Sequence, residues 1–159
     1  MNAGKSTALL QSNYNYRERG METLLFLPKI DADSNDGKIH SRIGLTENAH
    51  SVDLDFNFFN FVSQEQIKKT ISCILIDEVQ FLTKEQVRQV CKISDELNIP
   101  SMCYGIRTDF QGKLFEGSSE GNNSFCISEA TSNSFDIRSL IIFCSPSLLF
   151  STATAGVCI

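Results

Sequence analysis

The spacing of apolar and polar positions changes along the chain. Residues 5–19 place Ala8, Leu9, Leu10, Tyr14 and Tyr16 on a partly apolar helical face, and Gly20 fits the position just past a helix end. Residues 22–27 form a short apolar run that stops at Pro28 and predicts a buried strand. A connection rich in Asp, Asn, Ser and Gly follows over 31–37, and 38–43 predicts a short strand. Residues 53–61 are aromatic and partly alternating, which fits a strand or a helix. Ser63-Gln64-Glu65-Gln66 then resembles a helix cap. Residues 72–76 are a continuous apolar run, the pattern of a strand covered on both faces. Thr83 with Gln86 is a capping-box signature, and Val87, Val90, Cys91, Ile93 and Leu97 share one helical face over 84–97. Pro100 closes that unit, and 101–106 predicts another strand. This alternation argues for an α/β fold, a mostly parallel sheet with flanking helices.

The pattern breaks at Ser118. Residues 118–134 are rich in Ser, Asn and Gly without a period, and 139–159 carry no charge. The uncharged stretch is long enough for a membrane span, but Ser, Thr and Pro146 dilute it. The expected organisation is therefore one α/β domain over 1–117 and an irregular, poorly ordered tail over 118–159, with no membrane partner.

Composition narrows the function classes. A net charge of −5 without a basic run gives no electrostatic footprint for nucleic acid. Six cysteines form no CxxC pair, so no zinc signature is present and reduced thiols are expected. No signal peptide is expected, because Gly4-Lys5-Ser6-Thr7 interrupts any apolar stretch near Met1. A cytoplasmic location follows as the expectation.

Two segments carry chemistry. Gly4-Lys5-Ser6-Thr7 is the second half of a phosphate-binding loop, immediately followed by a helix. Gly4 lets backbone N–H groups approach a phosphate, Lys5 reaches the outer phosphates, and the Ser6 hydroxyl can ligate Mg²⁺. The alternative is a polar, frayed N-terminus. The second segment is Asp77-Glu78, at the end of the run 72–76. Ligands of open α/β sheets bind outside the carboxyl ends of strands. Two carboxylates there fit a metal ligand and a proton acceptor; the alternative is a strand running into an acidic turn. Phe110 and Phe115 lie in a polar loop after the 101–106 strand, where aromatics stack on a planar base or pack beneath the loop. His40 and His50 are expected in surface loops.

The order and spacing of these segments resemble the thymidine kinases of the bacterial and animal cytosolic type, enterobacterial forms especially. The residues carrying the resemblance are 1–10, 41–45, 77–82 and 104–112. It implies a P-loop NTPase-like fold and transfer of the ATP γ-phosphate to the 5′-hydroxyl of thymidine. It assigns Gly4, Lys5, Ser6, Thr7, Asp77 and Gln80 to the ATP side, Ser6 and Asp77 to Mg²⁺, and Glu78 to the general base. Phe81, Ile106, Phe110 and Phe115 would enclose the thymine ring, with Met1 near it. A homotetramer is the implied assembly. Departures from the pattern are a first strand missing ahead of Gly4, with two unpaired sheet edges expected in its place, and no match to a four-cysteine zinc and lid region after Ser118. Asp33 also stands where the family usually has arginine. These departures lead to an expectation of weak or no activity. The segment Asp77-Glu78-Val79-Gln80 also resembles the metal box of helicases, so the alternatives are a nucleic-acid-dependent ATPase and a non-catalytic fragment.

Overall fold

The computed structural model describes residues 4–33 and 36–106 with their side chains, and the backbone of Cys126–Glu129 and Ser139–Cys144. Its centre is a parallel pair, β1 (Glu22–Pro28) and β5 (Ile71–Ile76), with Leu24 opposite Ile74 and Phe26 opposite Ile76. β4 (His50–Val52) adds in parallel outside β1, and β6 (Ser101–Ile106) adds in parallel outside β5.

Side chains alternate across these strands, and both faces are apolar. Leu24, Phe26, Ile74 and Ile76 pack with Phe58 and Val62 of α3 (Phe58–Lys68) and with Val87, Val90 and Ile93 of α4 (Lys84–Leu97). Leu25, Leu27, Cys73 and Leu75 pack with Leu9 and Leu10 of α1 (Lys5–Glu18). The sheet therefore separates two cores. Cys73 is wholly buried in the second, and burial pushes its thiol up to about 12.

The capping box at Thr83 forms as expected. The Thr83 side chain accepts from the Gln86 backbone N–H at 3.2 Å, and the Gln86 carboxamide accepts from the Thr83 N–H at 3.0 Å. Gln86 also donates to the Asp53 and Phe56 carbonyls, tying the irregular 53–57 segment to α4.

Several local expectations are corrected. The aromatic run resolves into a loop and then α3, capped by Asn57, whose side chain accepts from the Asn60 N–H. Ser63 is mid-helix and donates to the Phe59 carbonyl, so Ser63–Gln66 is no cap. Ring packing decides this: Phe58 and Phe61 both lie edge-on to Phe26, at 5.1 and 5.8 Å. The expected 38–43 strand stops at His40. A turn with Gly44 at φ 87 leads into β3 (Thr46–Asn48), antiparallel to β2 (Lys38–His40). A single helical turn, α2 (Lys29–Ala32), follows β1 directly.

Two short stretches after Ser118 are described. They are two strands, β7 (Cys126–Glu129) and β8 (Ser139–Cys144). β8 runs antiparallel along all six residues of β6, and β7 pairs with β8. β8 thus covers the edge of β6 that faces away from β5. Unpaired backbone groups at a sheet edge favour such additions, and the apolar run of β8 suits a strand. Among the described residues, no helix is long and apolar enough to cross a membrane.

Candidate active site

The site forms where the N-terminus of α1 meets the carboxyl end of β5. Gly4 caps α1 with φ 76, a left-handed conformation that glycine adopts without penalty. The first helical residues, Lys5 to Thr7, are thereby turned over the sheet edge. The Ser6 hydroxyl donates to Asp77 Oδ2 at 2.7 Å, across 71 residues of sequence.

Asp77 is 2% exposed. Its other oxygen accepts the Glu78 backbone N–H at 3.0 Å, and its own N–H donates to the Phe26 carbonyl. Burial pushes its carboxyl up to about 6; Ser6 opposes this by hydrogen bonding to the charged form, and the Lys5 ammonium pulls the same way. Lys5 is itself buried at 6% exposure. An ordinary solvated acidic turn would show neither the burial nor these partners.

The chain reverses at Glu78, which takes φ 50 and ψ 45. A non-glycine residue held there is strained by about 1–3 kcal/mol and marks over-determined geometry. The short helical turn Val79–Phe81 follows, and the Gln80 carboxamide donates to Glu78 Oε2 at 2.5 Å.

Ser6, Asp77, Glu78, Gln80 and Phe81 line one cleft of about 420 Å³, together with Asp31, Lys38 and His40. Phe81 is 43% exposed and also borders a second, more apolar hollow lined by Pro28, Ile30 and Leu54. Ile106 ends β6, and its N–H donates to Gln80 Oε1 at 3.1 Å. The structure thus brings Ser6, Asp77, Glu78, Gln80 and Phe81 together, with Lys5 and Ile106 adjoining. Met1, Phe110 and Phe115 lie outside the described residues.

Three cleft residues escaped the sequence reading. Asp31 lies in α2, just past the carboxyl end of β1, a position where α/β sheets gather ligand groups. Burial raises its carboxyl above the usual range, and the neighbouring Glu78 adds to the rise. Lys38 and His40 arrive through the β2–β3 hairpin, which only the tertiary fold places here. His40 is therefore a cleft residue as well as a loop-flanking one. His50 is exposed, as expected, but it opens β4 rather than lying in a loop; its ring rests against Phe26 and Phe61 at 5.5 and 5.0 Å, and partial burial lowers its imidazole below the usual range.

A helix N-terminus with a buried lysine, a serine–aspartate contact and an adjacent carboxylate are the kinds of group that phosphate and cation binding call on. The family profile for thymidine kinase matches residues 1–131. The chain belongs to the thymidine kinase family. A thymidine kinase of Legionella pneumophila (strain Lens) is 56% identical over 119 residues, covering 74% of this chain and 57% of the relative. One from Rhodopirellula baltica is 54% identical over 118 residues, covering 74% and 56%. One from Yersinia pestis is 53% identical over 118 residues, covering 74% and 60%. The chain therefore spans less than two thirds of the length of these relatives. The profile match runs past Gly117, where the resemblance read from the motifs ends. Membership in this family does not favour the helicase-like reading of Asp77–Gln80.

Proposed function

We propose that this chain carries the phosphoryl-transfer centre of a thymidine kinase and moves the γ-phosphate of ATP to the 5′-hydroxyl of thymidine. The observation that supports this most directly is the Ser6–Asp77 contact of 2.7 Å beside Glu78. It joins a phosphate-loop residue to the end of a central strand, which sequence order alone does not require.

The donor set fits Mg²⁺. A hydroxyl and a carboxylate are hard oxygen ligands, and Mg²⁺ sites commonly use one or two protein oxygens plus substrate phosphates and water. Ser6 and Asp77 would hold the ion, which when bound neutralises charge on the donor phosphates. Gly4 and Thr7 would contribute backbone N–H groups, and Lys5 its ammonium, to those phosphates. Glu78 would accept the proton of the 5′-hydroxyl, a role that needs hydrogen-bond reach and an ionised carboxylate. Phe81 and Ile106 would flank the thymine ring, with Met1, Phe110 and Phe115 completing the enclosure by resemblance to the family.

The test is phosphorylation of labelled thymidine by the full chain, alongside calorimetry with ATP–Mg²⁺. The expected results are ATP binding that is lost in Lys5→Ala, and turnover that falls about 100-fold or more in Glu78→Gln. Undiminished turnover in Glu78→Gln would overturn the base assignment. No heat of ATP binding would leave the chain a non-catalytic fragment. Hydrolysis stimulated by DNA or RNA and not by thymidine would replace the kinase reading with an ATPase.

A further inference from the structure

We propose that Gln80 is a positioning residue, not a nucleotide ligand: it fixes the Glu78 carboxylate and fastens it to the end of β6. This rests on the reading of Glu78 as the base.

Gln80 is 5% exposed, although it sits in a short turn at the cleft. Both ends of its carboxamide are engaged within the chain. The Nε2 group donates to Glu78 Oε2 at 2.5 Å, and Oε1 accepts the Ile106 N–H at 3.1 Å. A carboxamide holding these two bonds is oriented in one way only, nitrogen toward Glu78 and oxygen toward β6. A ligand to ATP in its place would have to break at least one of them.

The neighbouring backbone is shaped to keep this bridge. Gly105, one residue before Ile106, faces the turn so closely that an added Cβ would lie 2.6 Å from Gln80 Oε1 and 2.7 Å from Val79 Cγ1. Gly105 has no positive φ, so its lack of a side chain serves the close approach rather than the backbone conformation. At the other end, Glu78 is held at φ 50 with its N–H donating to Asp77. The backbone of Glu78 is thus fixed by Asp77, and its carboxylate by Gln80. Ile106 is also a residue assigned to the nucleobase wall. The bridge therefore joins the proton acceptor to the recognition side of the cleft through one buried side chain.

The proposal is tested in the full chain with three variants. Gln80→Leu removes both hydrogen bonds at similar length. Gln80→Glu keeps an acceptor for Ile106 and removes the donor to Glu78. Gly105→Ala displaces the carboxamide without changing its chemistry. Hydrogen exchange at the Ile106 amide should accelerate about tenfold or more in Gln80→Leu and Gly105→Ala and stay slow in Gln80→Glu. ATP–Mg²⁺ affinity should stay within about twofold in Gln80→Leu, while kcat for thymidine falls about tenfold or more in all three, as losses of supporting hydrogen bonds do. A tenfold loss of ATP affinity in Gln80→Leu would make Gln80 a nucleotide ligand and overturn the proposal. Unchanged Ile106 exchange in both Gln80→Leu and Gly105→Ala would overturn it without any need for turnover. Full kcat in Gln80→Leu while Glu78→Gln is dead would overturn the positioning role and leave the base standing. Full turnover in Glu78→Gln would remove the base, and with it the role proposed for Gln80. If Gln80→Leu does not fold, Gly105→Ala carries the same readouts.

Discussion

Asp77 carries the clearest electrostatic consequence at the scale of single residues. Its carboxyl sits at about 6 in the fold because burial outweighs the Ser6 hydrogen bond. In the unfolded chain an aspartate titrates near about 3.9. The folded state therefore holds the extra proton between about pH 4 and 6, so this group's contribution to stability falls as pH rises through that window. The loss is on the order of 2–3 kcal/mol at neutral pH. We expect Asp77→Asn to stabilise the metal-free chain at pH 7.5 and to flatten the stability profile between pH 4 and 7. Denaturant unfolding in the presence of a chelator measures both. An unchanged slope in the variant would show that another group sets the pH dependence. The same substitution should weaken ATP–Mg²⁺ binding, since stability and metal affinity make opposite demands on one carboxylate.

At the scale of elements, α4 is announced by its own sequence. The capping box at Thr83 is local chemistry, legible from two residues three apart. Its second function is not legible: Gln86 is 3% exposed and also holds the carbonyls of Asp53 and Phe56, 33 and 30 residues away. Thr83→Ala should cost about 1 kcal/mol, the usual value of a cap. Gln86→Ala should cost about 2–3 kcal/mol, because it also leaves two carbonyls without their donor. Urea titrations of the two variants check the order, and equal losses would mean that water replaces the Gln86 contacts. α3 gives the opposite lesson. Phe56, Phe58 and Phe61 fit either period, and their contacts with Phe26 settle the matter.

At the scale of the whole molecule, the sheet divides two apolar clusters that share strands but not side-chain faces. Leu9, from α1, and Val90, from α4, lie in different clusters and are 0% and 1% exposed. Leu9→Ala and Val90→Ala should each cost about 2–4 kcal/mol. Their losses should add to within about 0.5 kcal/mol in the double variant, because sites without shared partners act independently. Denaturant unfolding of the two single variants and the double variant measures this. A marked departure from additivity would mean that the central strands transmit strain between the faces. The same architecture positions the cleft. α1 covers one face and brings Ser6 to the sheet edge, while β5 delivers Asp77 to meet it.

By itself the sequence determined what depends on local pattern. The 72–76 run, the capping box, the glycine before α1 and the acidic pair at a strand end are all short-range signals, and each appears where the pattern puts it. The family resemblance was legible for the same reason, since its motifs are contiguous. The tertiary structure decided what depends on distant partners. It turned the aromatic run into a helix, set the His50 ring against those of Phe26 and Phe61, and brought Asp31, Lys38 and His40 into the cleft. It also set β8 against β6 in antiparallel register. Gln80 shows the division most clearly. Its place two residues after Glu78 is sequence, but its hold on Ile106 across 26 residues exists only once β5 and β6 lie side by side.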